Sequence, residues 1–154
     1  MANLLSTCTS ESGNIQHISP QNAGWEYVGF DVWQLKAGES ITLPSDERER
    51  CLVLVAGLAS VKAADSFFYR IGQRISPFER IPAYSVYLPH HTEAKVTAET
   101  DLELAVCSAP GFGELPVRLI SPQEVGVEHR GKGRNQRLVH NILPDSQLAD
   151  SLLV

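Results

Sequence analysis

The sequence is poor in cysteine, in long apolar runs and in helical periodicity. Its three cysteines, Cys8, Cys51 and Cys107, are odd in number and widely spaced, which indicates neither a disulfide framework nor a CxxC zinc site. No stretch approaches the roughly 20 apolar residues of a membrane-spanning helix, and the opening "MANLLSTCTS" lacks the basic and apolar regions of a signal peptide. We therefore expect a soluble, cytoplasmic protein whose Cys51 and Cys107 are small buried side chains in strands.

Basic residues are also scarce. The chain has 13 Lys and Arg against 18 Asp and Glu, for a net charge of -5. This balance argues against a nucleic-acid partner or an anionic membrane surface, although a local basic pocket could still bind a small anion. The length of 154 residues and the 43% apolar content indicate one domain with a real hydrophobic core.

What the chain does contain is a series of short apolar segments separated by Gly, Pro, Asn and Asp, the spacing of an all-β sandwich or barrel. In "YSVYLP" the alternate residues Tyr84, Val86 and Leu88 should face one side, and "LELAVCSA" alternates in the same way. "CLVLVAG" is almost continuously apolar, which predicts a strand covered on both faces. The predicted strands are "YVGFDVWQL", "ESITLP", "RCLVLVAG", "ASVKA", "SFFYRIG", "YSVYLP", "AKVTAE", "LELAVCSA" and "VRLISP".

The stretch "GESITLPSDERERCLVLVAG" resembles the first motif of the cupins, small double-sheet barrels, in its two glycines. That motif has the form G, five residues, H-x-H, three or four residues, E, six residues, G, and it directs two imidazoles and a carboxylate at one metal ion. Gly38 and Gly57 lie 19 positions apart, as the shorter version of the motif requires. The resemblance implies an all-β, cupin-type antiparallel double-sheet barrel, jelly-roll-like, with the two glycines at the ends of neighbouring strands.

The metal-ligand slots of this frame hold other residues. The two histidine slots are Pro44 and Asp46, and the glutamate slot is Arg50. A second cupin motif, P-x-G-x-x-H, is matched best by "PHHTEA", which places Ala94 in its histidine slot. Three of the four slots cannot ligate a metal, and the guanidinium would repel a cation. We expect a degenerate cupin with no metal and no cofactor of its own.

A rearranged metal site remains as an alternative. Asp46, Glu49 and either His90 or His91 are all residue types that can ligate. However, "SDERER" alternates acids and bases as solvated loops do. Adjacent histidines in an extended chain would also point in opposite directions, so the interpretation that we favour makes them turn residues.

The C-terminal part from residue 127 is a polar, basic connector. Arg130, Arg134 and Arg137 are candidate substrate-binding residues, because a guanidinium can bind a carboxylate through two hydrogen bonds. In the alternative, which we favour, Arg130, Gly131 and Gly133 form a tight turn whose charges face solvent or pair across an interdomain contact. No catalytic residue can be named from the sequence.

Two other residue types carry weaker expectations. Trp25 and Trp33 are interpreted as apolar anchors, with sugar stacking as the second possibility. His17 lies in an N-terminal arm and has no partner that the sequence identifies.

Almost the full chain resembles one family, the bicupin isomerases of inositol catabolism that act on 5-deoxy-glucuronate and are related to 5-keto-4-deoxyuronate isomerase. The resemblance implies that residues 1–126 are a degenerate, metal-free cupin with an N-terminal arm. It further implies that residues 127–154 are a connector and the start of a missing second cupin, which would hold a divalent metal. The segments that carry the resemblance are "ERCLVLVAGLASVKA", "FFYRIGQRISPFERIPAYSVYLP", "ETDLELAVCSAPG", "RLISPQEV", "RGKGRNQRLVHNILPD" and "ADSLLV".

The activity that the resemblance implies is an aldose–ketose isomerisation of 5-deoxy-glucuronate to 5-dehydro-2-deoxy-gluconate. The implied partners are a small sugar-acid substrate, the second cupin half and further copies of the chain in a homo-oligomer, with no nucleic acid and no membrane. The alternative is a non-catalytic degenerate cupin that binds a ligand or organises an assembly. We expect these 154 residues alone to be inactive. Without the second barrel, the apolar side chains of Leu148, Leu152, Leu153 and Val154 should self-associate or be disordered; the alternative, weighed equally, is a short C-terminal strand that docks on this sheet.

Overall fold

The computed structural model of the chain describes residues 5–8 and 11–154, so part of the N-terminal segment considered above, residues 1–4 and 9–10, lies outside the described residues. The described part has twelve strands, the short helix α1 (Pro20–Ala23) and a 3₁₀ turn (Gly133–Asn135). The strands are β1 (Gly13–Ile18), β2 (Gly29–Leu35), β3 (Ser40–Leu43), β4 (Arg48–Ala56), β5 (Ala59–Ala63), β6 (Ser66–Ile71), β7 (Ser85–Leu88), β8 (Ala94–Ala98), β9 (Leu102–Pro110), β10 (Arg118–Ile120), β11 (Gly126–Arg130) and β12 (Arg137–Asn141).

The strands form two antiparallel sheets and a separate hairpin. A six-stranded sheet has the order β1-β2-β9-β4-β7-β10, a four-stranded sheet has the order β3-β8-β5-β6, and β11 pairs with β12. The main core lies between the two sheets. This arrangement confirms the predicted cupin-type antiparallel double-sheet barrel, and each of the nine predicted strands is present.

Both faces of the six-stranded sheet are covered, as the apolar run in β4 predicts. Leu52 and Leu54 point into the core between the sheets. Cys51 and Val53, which alternate with them, belong to a second buried cluster on the outer face. Cys107 packs against the same outer cluster. The sequence of β4 is therefore almost continuously apolar, because its side chains are buried on both faces of the sheet.

The outer cluster is closed by the last residues of the chain. Leu143 and Val154 exchange two backbone hydrogen bonds, with N···O distances of 2.8 and 3.1 Å. Leu152 is 4% exposed and packs in the outer cluster. Our expectation that this apolar ending lacks a partner is therefore wrong for Leu152 and Val154, because the outer face of the barrel itself provides one. Leu148 and Leu153 are exposed.

The two glycines of the cupin frame flank consecutive strands. Gly38 precedes β3 and Gly57 follows β4, and both have positive φ angles, of 88° and 100°. The two strands lie in different sheets, since β3 pairs with β8 whereas β4 pairs with β7 and β9. The glycines therefore flank strands that are neighbours in sequence but do not pair with one another.

The basic connector is more regular than its composition suggested. β11 and β12 pair in register from Gly126 opposite Asn141 to Arg130 opposite Arg137. Every residue of β11 is exposed. Within the described residues, no helix has both the length and the apolar character needed to cross a membrane.

Candidate functional site

The inner face of the six-stranded sheet changes from apolar to polar toward one end. Along β4 the inward side chains are Leu54, Leu52, Arg50 and Arg48, in that order. Arg50 lies opposite Ser108 of β9 in the strand register. In the same row, Ser108 lies opposite Gly29 of β2. The polar row marks the mouth of the barrel, which is the place where a cupin motif positions its ligands.

A cavity of about 300 Å³ opens at this mouth. Strands β1, β2, β4 and β9 of the six-stranded sheet line it, and the first residues of α1 and the end of β3 border it. A capping box holds that helix start, because the Ser19 hydroxyl accepts from the Asn22 backbone N–H and the Asn22 amide oxygen accepts from the Ser19 N–H. The side chains that line the cavity and carry polar groups include Asn14, His17, Asp31, Trp33, Asp46, Arg48, Arg50 and Ser108.

Two arginines reach this mouth with different surroundings. Arg50 is nearly buried, and its guanidinium donates to an Asp46 carboxylate oxygen at 2.5 Å and to the Thr92 carbonyl at 3.5 Å. Arg48 donates to the Ser108 hydroxyl at 3.1 Å and to its carbonyl at 3.0 Å. Burial lowers the pKa of Arg48, while nearby Asp46 acts in the opposite direction.

Strand β2 of the same sheet contributes an acidic residue to the cavity. Oδ1 of Asp31 accepts a hydrogen bond from the Asn14 amide at 3.0 Å and lies 2.6 Å from Nδ1 of His17. This is the partner of His17 that the sequence did not identify. Trp33 packs against the core beside them, as expected of an anchor, whereas Trp25 is 40% exposed and does not serve as one.

The residues at the mouth do not fit a divalent metal. Pro44, Asp46 and Arg50 line the cavity, so the cupin frame placed its three slots correctly. Ala94 instead packs in the core, opposite Leu43 on one side. In the described part of the chain, no group of three or more His, Cys, Asp and Glu side chains could hold a metal ion. A guanidinium occupies the carboxylate position, and we derive no chemical step through a metal in this barrel.

The alternative site of Asp46, Glu49 and a histidine is not assembled. Glu49 points to the outer face, because adjacent residues of a strand alternate between faces and Arg50 points inward. His90 and His91 lie in a turn, as we favoured. Their rings do not point in opposite directions but lie 4.5 Å apart, since the positive φ of 56° at His91 folds the backbone.

Glu49 has a different task, which the sequence did not reveal. Its carboxylate is fully buried under the C-terminal segment. Oε1 accepts from the backbone N–H groups of Ser151 at 2.7 Å and Leu152 at 2.6 Å. Oε2 accepts from the Asp150 backbone at 2.9 Å and from the Tyr87 hydroxyl at 2.6 Å. The charged stretch "SDERER" therefore contains a carboxylate, that of Glu49, which binds the backbone of residues 150–152.

The surroundings of this carboxylate are also charged. Burial raises the pKa of Tyr87, and its hydrogen bond to Glu49 adds to that effect. The Arg118 guanidinium lies 4.7 Å above the Tyr87 ring. Asp150 accepts from the backbone N–H groups of Phe112 at 2.6 Å and Gly113 at 2.8 Å. The bond from Gly113 is the main reason why the pKa of Asp150 is lowered.

Comparison with known proteins identifies the family of this chain. Residues 4–154 match the KduI/IolB family. The chain belongs to the KduI/IolB family. It is 51% identical over 145 residues to a Geobacillus thermodenitrificans protein named 5-deoxy-glucuronate isomerase, which covers 94% of this chain and 53% of that protein. It is 41% identical over 141 residues to the protein of that name from Bacillus subtilis strain 168, covering 91% of this chain and 52% of that protein. The chain thus spans about half the length of the curated relatives that it matches.

Two solved structures are similar to the chain, one at high and one at low sequence identity. An IolB-like protein from Salmonella typhimurium LT2 is 99% identical, with a TM-score of 0.97 over 99% of this chain and 58% of that chain. A structure of oxalate decarboxylase has a TM-score of 0.52 at 16% identity, covering 73% of this chain and 31% of that chain, which shows a shared fold only.

The predicted arginines of this family member lie away from the mouth. Arg130, Arg134 and Arg137 are all on the exposed hairpin or its 3₁₀ turn. Arg130 pairs with Glu128 at 2.8 Å, and the tip of the hairpin is the tight turn that we favoured. Contact of these arginines with a substrate stays a prediction, as does the boundary between residues 126 and 127.

Proposed function

We propose that this chain is the N-terminal half of a sugar-acid isomerase that interconverts 5-deoxy-glucuronate and 5-dehydro-2-deoxy-gluconate. The observation that carries the proposal is the 51% identity, over 94% of the chain, to a protein named 5-deoxy-glucuronate isomerase. The coverage of only 53% of that relative supports a second half in the complete enzyme. We place the protein in the cytoplasm on the same grounds.

The chemistry supports a division of labour between two halves. Aldose–ketose isomerisation needs a base that moves a proton between C2 and C1, and an electrophile that stabilises the enediolate. The described barrel mouth offers the fixed cation of Arg50 but no set of metal ligands. We therefore assign a divalent metal and the catalytic base to the second cupin. This half would supply the scaffold, through the C-terminal segment bound by Glu49.

Turnover of 5-deoxy-glucuronate tests the proposal directly. We would compare this chain with a chain extended to the length of its relatives, at equal molar concentration and with added Mn²⁺ or Zn²⁺. The extended chain should isomerise the substrate, should lose activity when a chelator is added, and should regain it with metal. The 154-residue chain should show no turnover. Equal activity of the two chains would contradict the proposal, and so would an extended chain without activity toward this substrate.

A ligand-binding module without turnover is the second candidate. The cavity at the barrel mouth, with a nearly buried arginine, specifically favours it. The two candidates differ in one measurement, because only the isomerase converts 5-deoxy-glucuronate once the second half is present.

A further inference from the structure

We propose that the barrel mouth of this half is a metal-free binding site for a small hydroxylated carboxylate, whose carboxylate is bound by Arg50. The proposal rests on the geometry of the described cavity alone, and it holds whether or not the isomerase assignment is correct.

Arg50 is the residue that would bind the carboxylate. Its side chain is 7% exposed, while that of its partner Asp46 is 43% exposed. A guanidinium has five N–H donors, and here the contacts of Arg50 are one carboxylate oxygen and one carbonyl at the long distance of 3.5 Å. Donor capacity therefore remains on a permanent cation that lines the cavity. A ligand carboxylate can use it through two parallel hydrogen bonds.

Arg48 has no comparable freedom, although it lines the same cavity. Its guanidinium donates to both the hydroxyl and the carbonyl of Ser108, and also to the carbonyl of Tyr27. It lies so close to Gly29 that a Cβ built there would be 3.3 Å from Nη2 and 2.5 Å from the Ser108 hydroxyl. Arg48 thus fixes the rim of the mouth, and Arg50 is left as the cation for a ligand.

The other walls select for hydroxyl groups on the same ligand. Asp31 presents a carboxylate, which accepts hydrogen bonds and would repel a second negative charge. Among the described residues, the buried indole N–H of Trp33 has no hydrogen-bond acceptor. That nitrogen has almost no solvent-accessible surface, so it reports on the Trp33 ring that lines the cavity and is not itself a contact for the ligand. A molecule with an anionic end and several hydroxyl groups meets these requirements together.

The charge balance and the volume of the cavity narrow the range of suitable ligands further. Two aspartates, Asp31 and Asp46, balance the two arginines of the lining, so a monoanion fits better than a phosphate dianion. The volume of about 300 Å³ lies at the small end of ligand pockets. It can accommodate a six-carbon sugar acid.

Nuclear magnetic resonance of the two indole N–H groups provides a site-specific test. Trp33 lines the cavity, whereas Trp25 lines a different depression and serves as an internal control. We would titrate the ¹⁵N-labelled chain with D-glucuronate, D-glucose and inorganic phosphate, after assigning the Trp33 resonance with Trp33→Phe. We expect a saturable shift of the Trp33 resonance with D-glucuronate and an unchanged Trp25 resonance. D-glucose and phosphate should bind at least about tenfold more weakly, because each lacks the single carboxylate.

Variants of Arg50 complete the test. Arg50→Gln should weaken the D-glucuronate response by about tenfold or more, and Arg50→Lys should weaken it less, because the charge stays but the planar fork is lost. Arg80→Gln, at an exposed arginine that does not line the cavity, is the matched control and should leave the response unchanged. Because Asp46 is partly solvated, the variants should fold, and circular dichroism would check this. If Arg50→Gln did not fold, Arg50→Lys and the comparison of D-glucuronate with D-glucose would decide.

Several results would overturn the proposal. They are no Trp33 shift with D-glucuronate, equal shifts with D-glucose, tighter binding of phosphate, or an unaltered response in a folded Arg50 variant. Each of these concerns binding in the absence of turnover. The outcome is therefore independent of the isomerase assay on the extended chain.

Discussion

Glu49 and Arg50 are adjacent in β4 and carry opposite charges to opposite faces of one sheet. Glu49 binds backbone N–H groups of the C-terminal segment on the outside, and Arg50 occupies the barrel mouth on the inside. A carboxylate that accepts several buried hydrogen bonds stabilises the groups that it binds, because those donors would otherwise be desolvated without a partner.

Glu49→Gln should destabilise the protein although it keeps the size of the side chain. The new amide NH₂ is a donor and would face donors of Ser151, Leu152 or Tyr87, so at least one hydrogen bond is lost. We expect a loss of about 1–3 kcal/mol in the free energy of unfolding, measured with urea. Glu26→Gln, on an exposed side chain, is the control. Equal stability of the two variants would show that the Glu49 interactions are not formed in solution.

The three thiols should differ in reactivity. Cys8 is exposed, Cys51 is buried, and burial raises the pKa of Cys107 to about 11. Because the thiolate is the reactive form, Cys51 and Cys107 should react slowly at pH 8. Titration with a disulfide reagent should show one fast thiol per folded chain and all three thiols in urea. Fast reaction in a Cys8→Ser variant would contradict the burial of the two strand cysteines.

The role of Glu49 could not be predicted from the sequence, because the backbone N–H groups that it binds lie 101 to 103 positions further along the chain. In the sequence, Glu49 belongs to an alternating charged loop and resembles a solvated residue. Arg50 could be placed at the mouth, because its position follows from the spacing between Gly38 and Gly57. The sequence thus locates a residue within a known frame but not a contact between distant segments.

At the scale of elements, apolar alternation identified the strands of the core but missed three others. β1, with the sequence "GNIQHI", and the hairpin strands "GVEHR" and "RLVHN" are polar. Their strand geometry comes from backbone pairing at a sheet edge or within a hairpin, which leaves a weak sequence pattern. The missed strand β1 also forms one wall of the mouth cavity, through Asn14 and His17.

The two frame glycines allow a matched test of the turns. Both have positive φ angles, but a Cβ at Gly38 would meet nothing within 4 Å, whereas one at Gly57 would lie 2.2 Å from the Asp101 carbonyl oxygen. Gly38→Ala should therefore cost only the backbone strain of about 1–2 kcal/mol. Gly57→Ala should cost clearly more, because the backbone of Asp101 must also move. Urea unfolding of both variants would show this order, and the reverse order would contradict the described turn after β4.

At the scale of the whole molecule, the six-stranded sheet has a core on each face. One core is shared with the four-stranded sheet, and the other is completed by the segment that contains Leu143 and Leu152. The C-terminal segment is therefore part of the folded barrel. Composition alone could not predict this, because an apolar ending is equally compatible with packing on a different domain.

Two adjacent leucines test the contribution of this segment. Leu152 is 4% exposed and Leu153 is 65% exposed. Leu152→Ala should reduce the free energy of unfolding by about 2–5 kcal/mol, as for other buried leucines. Leu153→Ala should change it by less than about 0.5 kcal/mol. Light scattering on both would show whether the loss of Leu152 also opens the outer cluster and promotes self-association. Equal stabilities would mean that the segment does not pack on the barrel.

The position of Glu49 beside Arg50 has a mechanical consequence. One peptide unit joins the residue that binds the C-terminal segment to the residue that occupies the barrel mouth. A rotation of the β4 backbone there must swing both side chains, because they stand on opposite sides of the same pleat. A pull on the chain at Val154 would first load its two hydrogen bonds with Leu143, and then those from residues 150–152 to Glu49, one peptide unit away from Arg50.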